Sequence, residues 1–194
     1  MKPRIILAST STFRQSILKK LQLPFESIAP ECNETPYLDE SATDLVKRLS
    51  ETKARSCQQN SEHALIIGSD QVCVIHKNIV GKPHTQANAI KQLMSASGQA
   101  VTFYTGLSLY NTQTEHCQTI CETFTVHFRT LTVEQIRYYI DKEQPLNCAG
   151  SFMCEGLGIA LFERLEGKDP NCLIGLPLIS LIDLLDNEGV KTLS

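Results

Sequence analysis

Apolar residues along the chain fall in short runs and stripes whose spacing predicts alternating strands and helices. Arg4 to Ala8 is apolar enough for a strand, and Ser9-Thr10-Ser11-Thr12 follows at once. From Phe13 to Leu21 the spacing turns helical, with Ile17, Leu18 and Leu21 on one stripe and Ser11 or Thr12 as N-cap. Pro24 closes that region, Phe25 to Ala29 alternates as a second strand, and Pro30 to Pro36 is a loop carrying Glu31, Asn33 and Glu34. A second helix, capped by Ser41 or Thr43, runs to about Gln59 on a stripe of Leu45, Val46 and Leu49.

The run from Leu65 to Ile75 shows almost no polar alternation, which predicts a strand buried on both faces, with Asp70 and Gln71 at its midpoint. His76-Lys77-Asn78 has turn composition and Ile79 to Lys82 returns as a hairpin, placing Lys82 within a residue or two of Gln71. Thr85 caps a helix over Ala87 to Ser97 with Gly98 at its end. Ala100 to Tyr110 and Cys121 to Thr130 form an antiparallel pair, the second with Phe124, Val126 and Phe128 on one face and Thr125, His127 and Arg129 on the other. Thr132 to Gln135 has capping-box spacing and opens a helix to about Asp141. After an irregular glycine-rich segment from Asn147 to Gly158, Ile159 to Leu165 reads as a strand and Gly167 to Asn171 as a turn. Gly175-Leu176-Pro177 introduces a last helix with Leu178, Leu181, Ile182 and Leu185 inward. No repeat, low-complexity tract or linker interrupts the pattern, which predicts one α/β domain over residues 1–194, in two lobes with a cleft between them.

Composition narrows the function classes. Hydrophobic residues at 42% and charged residues at 20% are ordinary for a globular chain. A net charge of -3 supplies no broad basic field for nucleic acid or anionic membrane, so phosphate binding has to come from local cations. Lys2 and Arg4 precede an apolar stretch too short for a signal-peptide core, and no run is long enough to span a membrane. Eight cysteines without a Cys-x-x-Cys pair read as reduced thiols of a cytoplasmic protein. Cys117 and Cys121 beside His116 have no second ligand pair at structural-zinc spacing.

Against this background a few charges stand out. A carboxylate in an apolar strand costs several kcal/mol unless a cation, metal or set of donors meets it, so Asp70 requires a partner. It is either a structural carboxylate capping a nearby loop or part of a site, and Lys82 is one candidate to meet it. Lys53 follows Leu49 on the buried stripe of the second helix, an unusual place for an ammonium, which either snorkels to solvent or reaches an anion. The hydroxyl-rich turn before the first helix points backbone N–H groups and the positive helix end at one spot, either an anion site or a plain cap. Arg14 lies in that helix's first turn, where the macrodipole disfavours a cation, which suggests another use. His127 reads as a solvated strand residue. Several cations with several acids, Glu34, Asp70 and Glu155, fit a polyphosphate held with a divalent metal. No Gly-x-x-x-x-Gly-Lys-Ser/Thr sequence is present, so this is not a P-loop protein.

Taken in order, Leu7-Ala8-Ser9-Thr10-Ser11 with Arg14, Glu34-Thr35-Pro36, Lys53-Ala54, Gly68-Ser69-Asp70-Gln71-Val72, Gly81-Lys82-Pro83, Tyr104-Thr105-Gly106 and Gly175-Leu176-Pro177 resemble the Maf family of nucleotide pyrophosphatases along the full chain. The resemblance implies an α/β fold similar to Maf and inosine triphosphatase proteins, with a mixed central sheet flanked by helices and a central cleft, and hydrolysis of a nucleoside triphosphate to the monophosphate and pyrophosphate. It implies a divalent metal, magnesium or manganese, and a small-molecule nucleotide as partner, with a homodimer allowed for and neither nucleic acid nor membrane among the partners. Gln71, and Glu155 within Ser-Phe-x-x-Glu-Gly, look like the branch that acts on 7-methyl-GTP. In the dTTP/UTP branch, the rival reading, Thr and Gln are usual there, and a non-catalytic nucleotide-binding regulator is the alternative from another class. Trp is usual at the position of Phe13.

Carried over residue by residue, the resemblance makes Asp70 the proton acceptor for the attacking water. Glu34 assists the water or, with Asp70, the metal. Ser9, Arg14, Lys53 and Lys82 hold phosphates, with Lys82 also in the catalytic set, and Phe13, Gln71 and Glu155 choose the base. The account requires Arg14, Lys53 and Lys82 to surround the Asp70 carboxylate.

Overall fold

A computed structural model describes residues 3–59 and 61–193; Lys2 of the basic N-terminus lies outside them. The chain divides into two compact units. The first comprises Met1–Asp70, Thr105–Glu122 and Asp169–Ser194, the second Gln71–Tyr104 and Thr123–Lys168. Three long strands, β3 (Ala64–Ile75), β5 (Ala100–Asn111) and β6 (Cys117–Phe128), each supply residues to both.

In the first unit β1 (Arg4–Ala8) runs parallel to β2 (Glu26–Ile28) on one side and to β3 on the other, and β5 and β6 continue the sheet beyond β3. Ile5 and Leu7 join Leu65, Ile67, Leu107 and Leu109 in one apolar layer with α1 (Thr12–Leu18) and α6 (Leu178–Asn187). Ile6, Ala8 and Ile66 face the other way and pack with Ala54 of α2 (Ala42–Ser56). Both faces are therefore covered, which is why these strands show no polar alternation.

Two glycines set how closely α2 lies on this sheet. A Cβ on Gly68 would stand 2.0 Å from the Ser50 carbonyl oxygen, and one on Gly106 would stand 2.0 Å from that of Val46. Only a residue without a side chain lets the helix backbone rest on the strand backbone at these points.

In the second unit β4 (Asn78–Val80) returns antiparallel on β3, and β7 (Phe162–Gly167) pairs antiparallel with β6. With the parallel pairs above, the sheet is mixed and flanked by helices, as the family resemblance implies. The helix α3 (Gln86–Ala96) packs on α4 (Val133–Glu143), whose capping box of Thr132 and Gln135 is present. The core is aromatic: Phe152 meets Phe103, Phe128 and Phe162 edge-on at centroid distances of 5.3, 5.5 and 4.8 Å.

Several boundaries differ from the sequence expectation, each for a local reason. The first helix ends at Leu18, and Lys19–Leu21 tightens to a 3₁₀ turn before Gln22 adopts a left-handed conformation. The returning hairpin strand stops at Val80, because Pro83 offers no N–H and restrains Lys82 before it. Ile159 to Leu161 is not strand but part of a 3₁₀ turn over Leu157–Leu161, where Gly158 abuts the Met153 carbonyl; pairing begins at Phe162, opposite Phe128. A short helix α5 (Asn171–Ile174) follows where only a turn was expected. On α6 it is Leu184 that is buried with Leu178, Leu181 and Leu185, while Ile182 is half-buried. Among the described residues no helix is long and apolar enough to cross a membrane.

The close approach yields a direct test. Gly106→Ala forces the added methyl into the α2 backbone and is expected to lower stability by at least about 1–3 kcal/mol in urea unfolding. A midpoint equal to wild type would mean that this helix does not rest on the strand there.

Candidate active site

Asp70 ends the buried part of β3 that belongs to the first unit and is 7% exposed. Lys53, three turns along α2 from its Ser41 cap, is 6% exposed and donates to Asp70 Oδ1 at 2.6 Å. Its ammonium does not snorkel. It also lies 2.6 Å from Glu34 Oε1, so two carboxylates from separate segments converge on one nitrogen. The cation that meets Asp70 within its own unit is Lys53, and the reason is the glycine-mediated seating of α2. Gly68, two residues before Asp70, lets Ser50 and Ala54 lie against the strand, which carries the neighbouring Lys53 to the carboxylate.

Glu34 comes from the loop between β2 and α2, and that loop is clamped. Arg48 of α2 grips Glu40 through Nε at 2.6 Å and Nη2 at 2.7 Å, reaches the Thr35 carbonyl at 3.2 Å and lies 3.9 Å from the centre of the Tyr37 ring. A two-pronged guanidinium–carboxylate pair of this kind fixes orientation as well as charge. Its hydrogen bonds to Arg48 hold the Glu40 carboxyl down at about 2. Neither Arg48 nor Glu40 stands out in the sequence, because a charged pair eight residues apart across a helix start looks like ordinary surface. Cys32 in the same loop was also missed. Burial pushes its thiol up while Lys53 pulls it down and Glu34 and Asp70 push it further up, so it feels the same charges.

Arg14 approaches from α1. Its Nε donates to the Gly175 carbonyl at 2.8 Å. Burial pulls the guanidinium down from its ordinary value, and the Asp70 and Glu34 carboxylates push it back up. Ser11 caps α1 by accepting from the Arg14 amide, and the buried Ser9 hydroxyl accepts from the Ser11 amide at 3.1 Å. Phe13, on the first turn of the same helix, is 43% exposed. The first unit thus brings together Ser9, Arg14, Glu34, Lys53 and Asp70, and of the three cations expected around Asp70 it holds Lys53 in contact and Arg14 within electrostatic reach.

The second unit holds Gln71, Lys82 and Glu155. Register continued from the Cys73–Val80 pair would set Lys82 opposite Gln71, although the ladder itself stops at Val80. Lys82 is exposed, as is Glu155, and both act on Cys148: Glu155 raises that thiol beyond what burial does, and Lys82 lowers it. Glu155 Oε2 accepts from the Cys154 thiol at 3.4 Å. His127 lies between Glu166 and Arg164 on the β6–β7 ladder, 3.1 Å from the first and 2.9 Å from the second, in keeping with a strand-surface role.

Among the described residues no group of three or more His, Cys, Asp or Glu side chains is placed to hold a metal. The Asp70 and Glu34 pair nonetheless fits a hard divalent ion. Both are oxygen donors within reach of one cation, and a magnesium-type ion is held by one or two carboxylates with substrate phosphates and water completing its shell.

A cation-laced carboxylate pair on a mixed α/β scaffold is the equipment of a phosphate-handling protein. Residues 4–188 match the family described as Maf-like protein, and the chain belongs to the Maf family. It is 62% identical over 193 residues to a protein named 7-methyl-GTP pyrophosphatase from Aliivibrio fischeri, covering 100% of both chains. Proteins of the same name from Vibrio cholerae and Vibrio vulnificus are each 60% identical over 190 residues, covering 98% of this chain and 98% and 97% of theirs. A solved HAM1 protein from Coxiella burnetii superposes with a TM-score of 0.47 at 14% identity, over 79% of this chain and 88% of that one.

The loop clamp carries a pH signature. The folded Glu40 carboxyl lies well below its ordinary 4.5, so its pairing stabilises the protein above that value and is lost as pH falls towards about 2. Glu40→Gln is expected to be less stable than wild type in denaturant at neutral pH, with the difference shrinking between about pH 4.5 and about pH 2. A difference independent of pH would assign the loss to something other than this ion pair.

Proposed function

We propose that the chain is a hydrolase that converts 7-methyl-GTP and water to 7-methyl-GMP and pyrophosphate. The observation that carries this reading is the Glu34–Lys53–Asp70 convergence with Arg14 beside it, in a chain whose full-length relatives bear that activity as their name. Residues 1–194 act as one nucleotide pyrophosphatase domain.

In this reading Asp70 accepts the proton of a water that attacks the α-phosphorus. The new P–O bond forms as the bond from the α-phosphorus to the bridging oxygen of the β-phosphate breaks, and pyrophosphate leaves. Phosphoryl chemistry of this type asks the protein mainly for positioning and charge neutralisation. Arg14, Lys53 and Lys82 meet the phosphate charges, and the Ser9 hydroxyl contributes a hydrogen bond. Glu34 shares Lys53 with Asp70 and helps orient the water. A divalent ion, magnesium or manganese, would be held by Asp70 and Glu34 and would supply further neutralisation of the phosphate oxygens when bound.

Phe13, Gln71 and Glu155 are assigned to base choice. N7-methylated guanine carries positive charge, for which an exposed aromatic face and a carboxylate are suitable receptors. The partner is a free nucleotide, and a net charge of -3 gives no broad basic field for nucleic acid or anionic membrane.

Asp70→Asn removes the proton acceptor while keeping the shape, and is expected to lower turnover of 7-methyl-GTP by about 100- to 10,000-fold while nucleotide binding persists. Pyrophosphate release across 7-methyl-GTP, GTP, dTTP, UTP and CTP should favour the first. Faster release from dTTP and UTP would move the chain to the other branch, and near-wild-type turnover by Asp70→Asn would remove that residue from the chemistry.

A further inference from the structure

The Gly175 carbonyl is the hub of an arrangement that the roles above leave unexplained. It accepts from Arg14 Nε at 2.8 Å and from the Ser69 hydroxyl at 2.8 Å, which occupies both lone pairs. The Ser69 hydroxyl, 1% exposed, also lies 2.9 Å from the Gly106 carbonyl, so its one proton is shared between two backbone oxygens. Gly175 itself has φ of +107°, a left-handed conformation that closes α5, and its amide donates back to Asn171 and Cys172. Thr105 of β5 donates to the Cys172 carbonyl at 3.1 Å, a second tie from the sheet to the same short helix.

A guanidinium is planar and rigid, so fixing Nε to one acceptor fixes the plane and direction of the whole fork. Among the described residues Nε is the one side-chain donor of Arg14 with a hydrogen-bond partner, which leaves the two Nη groups to an anion. A Cβ on Gly175 would stand 3.3 Å from Arg14 Nε, so the guanidinium lies flush against this backbone. The tie matters because a long arginine side chain loses substantial rotamer freedom when it is held. Holding it in advance spares that loss when the ligand arrives.

We propose that Ser69 is a positioning residue for Arg14, acting through the Gly175 carbonyl to aim the guanidinium fork at the phosphate chain of the substrate. Ser69 touches neither substrate nor reacting atoms in this scheme. Its hydroxyl pins the Gly175 peptide to β3, and the peptide in turn sets the angle of Arg14. The proposal rests on the assignment of Arg14 to the phosphates made above.

The test is a double-mutant cycle on the full chain, with inorganic pyrophosphate as the ligand and binding read by titration calorimetry. Ser69→Ala is expected to weaken pyrophosphate binding about tenfold in the wild-type background, and to have no further effect once Arg14→Ala is present. A purely structural role would weaken both backgrounds by the same factor, and that result, or unchanged affinity in Ser69→Ala, overturns the proposal. Should Ser69→Ala fail to fold, Ser69→Cys keeps the volume and substitutes a weaker donor, and the same cycle is run with it. The outcome is separable from the fate of the proposed activity. A wild-type chain that shows the coupling but releases no pyrophosphate from 7-methyl-GTP refutes that activity and leaves the positioning role standing. A wild-type chain that does not bind pyrophosphate refutes the assignment of Arg14, and this proposal with it.

Discussion

A single ammonium, that of Lys53, reconciles the most expensive residue in the sheet with its surroundings. Asp70 sits in an apolar strand where an unpaired carboxylate would cost several kcal/mol, and Lys53 on a buried helical face would cost as much alone. Each makes the other tolerable at 2.6 Å, and Glu34 sets a second carboxylate on the same ammonium. Pairs of this kind add little net stability compared with apolar replacements.

The pair exists only because helix and sheet touch backbone to backbone. Gly68 and Gly106 remove the side chains that would hold α2 away, and the contact delivers Lys53 to Asp70. From the loop before that helix, the Arg48–Glu40 clamp brings Glu34 to the same ammonium. From α1, Arg14 is tied at Nε to the carbonyl at the end of α5 and feels the charge of the two acids. Four segments distant in sequence are thus joined by contacts that are individually ordinary: a close glycine approach, a forked ion pair, a capped short helix and a shared hydroxyl proton.

The second unit is built on a different principle. Its core includes four phenylalanines packed edge to face, a shape-specific cluster that suits a segment with few regular elements between α4 and β7. Gly150, at φ of +74°, lies where a side chain would press on Cys73 and Phe103, so the irregular stretch follows the aromatic core closely. Glu155 and Lys82 both influence Cys148 at the edge of that stretch. The candidate residues Lys82 and Glu155 here are exposed, whereas Lys53 and Asp70 of the first unit are buried.

Much of this was legible in the letters. Apolar periodicity located the strands and helices to within a few residues, since burial on one or both faces is a property of local spacing. The doubly buried β3 with one acid in it, the misplaced ammonium at Lys53 and the cation in the first turn of α1 were visible as violations of that spacing. Short blocks in fixed order were enough to name the family. What the sequence could not disclose was which cation answers Asp70, because hairpin counting favours the near Lys82 while helix seating selects Lys53. Nor could it reveal that Ser69 and Gly175 meet Arg14, or that Arg48 holds the loop of Glu34, or that Ile159 to Leu161 turns instead of pairing. Periodicity records how each residue stands towards its own segment; partners more than a hundred residues apart are chosen by packing, and only folded backbones brought within a few ångströms decide them.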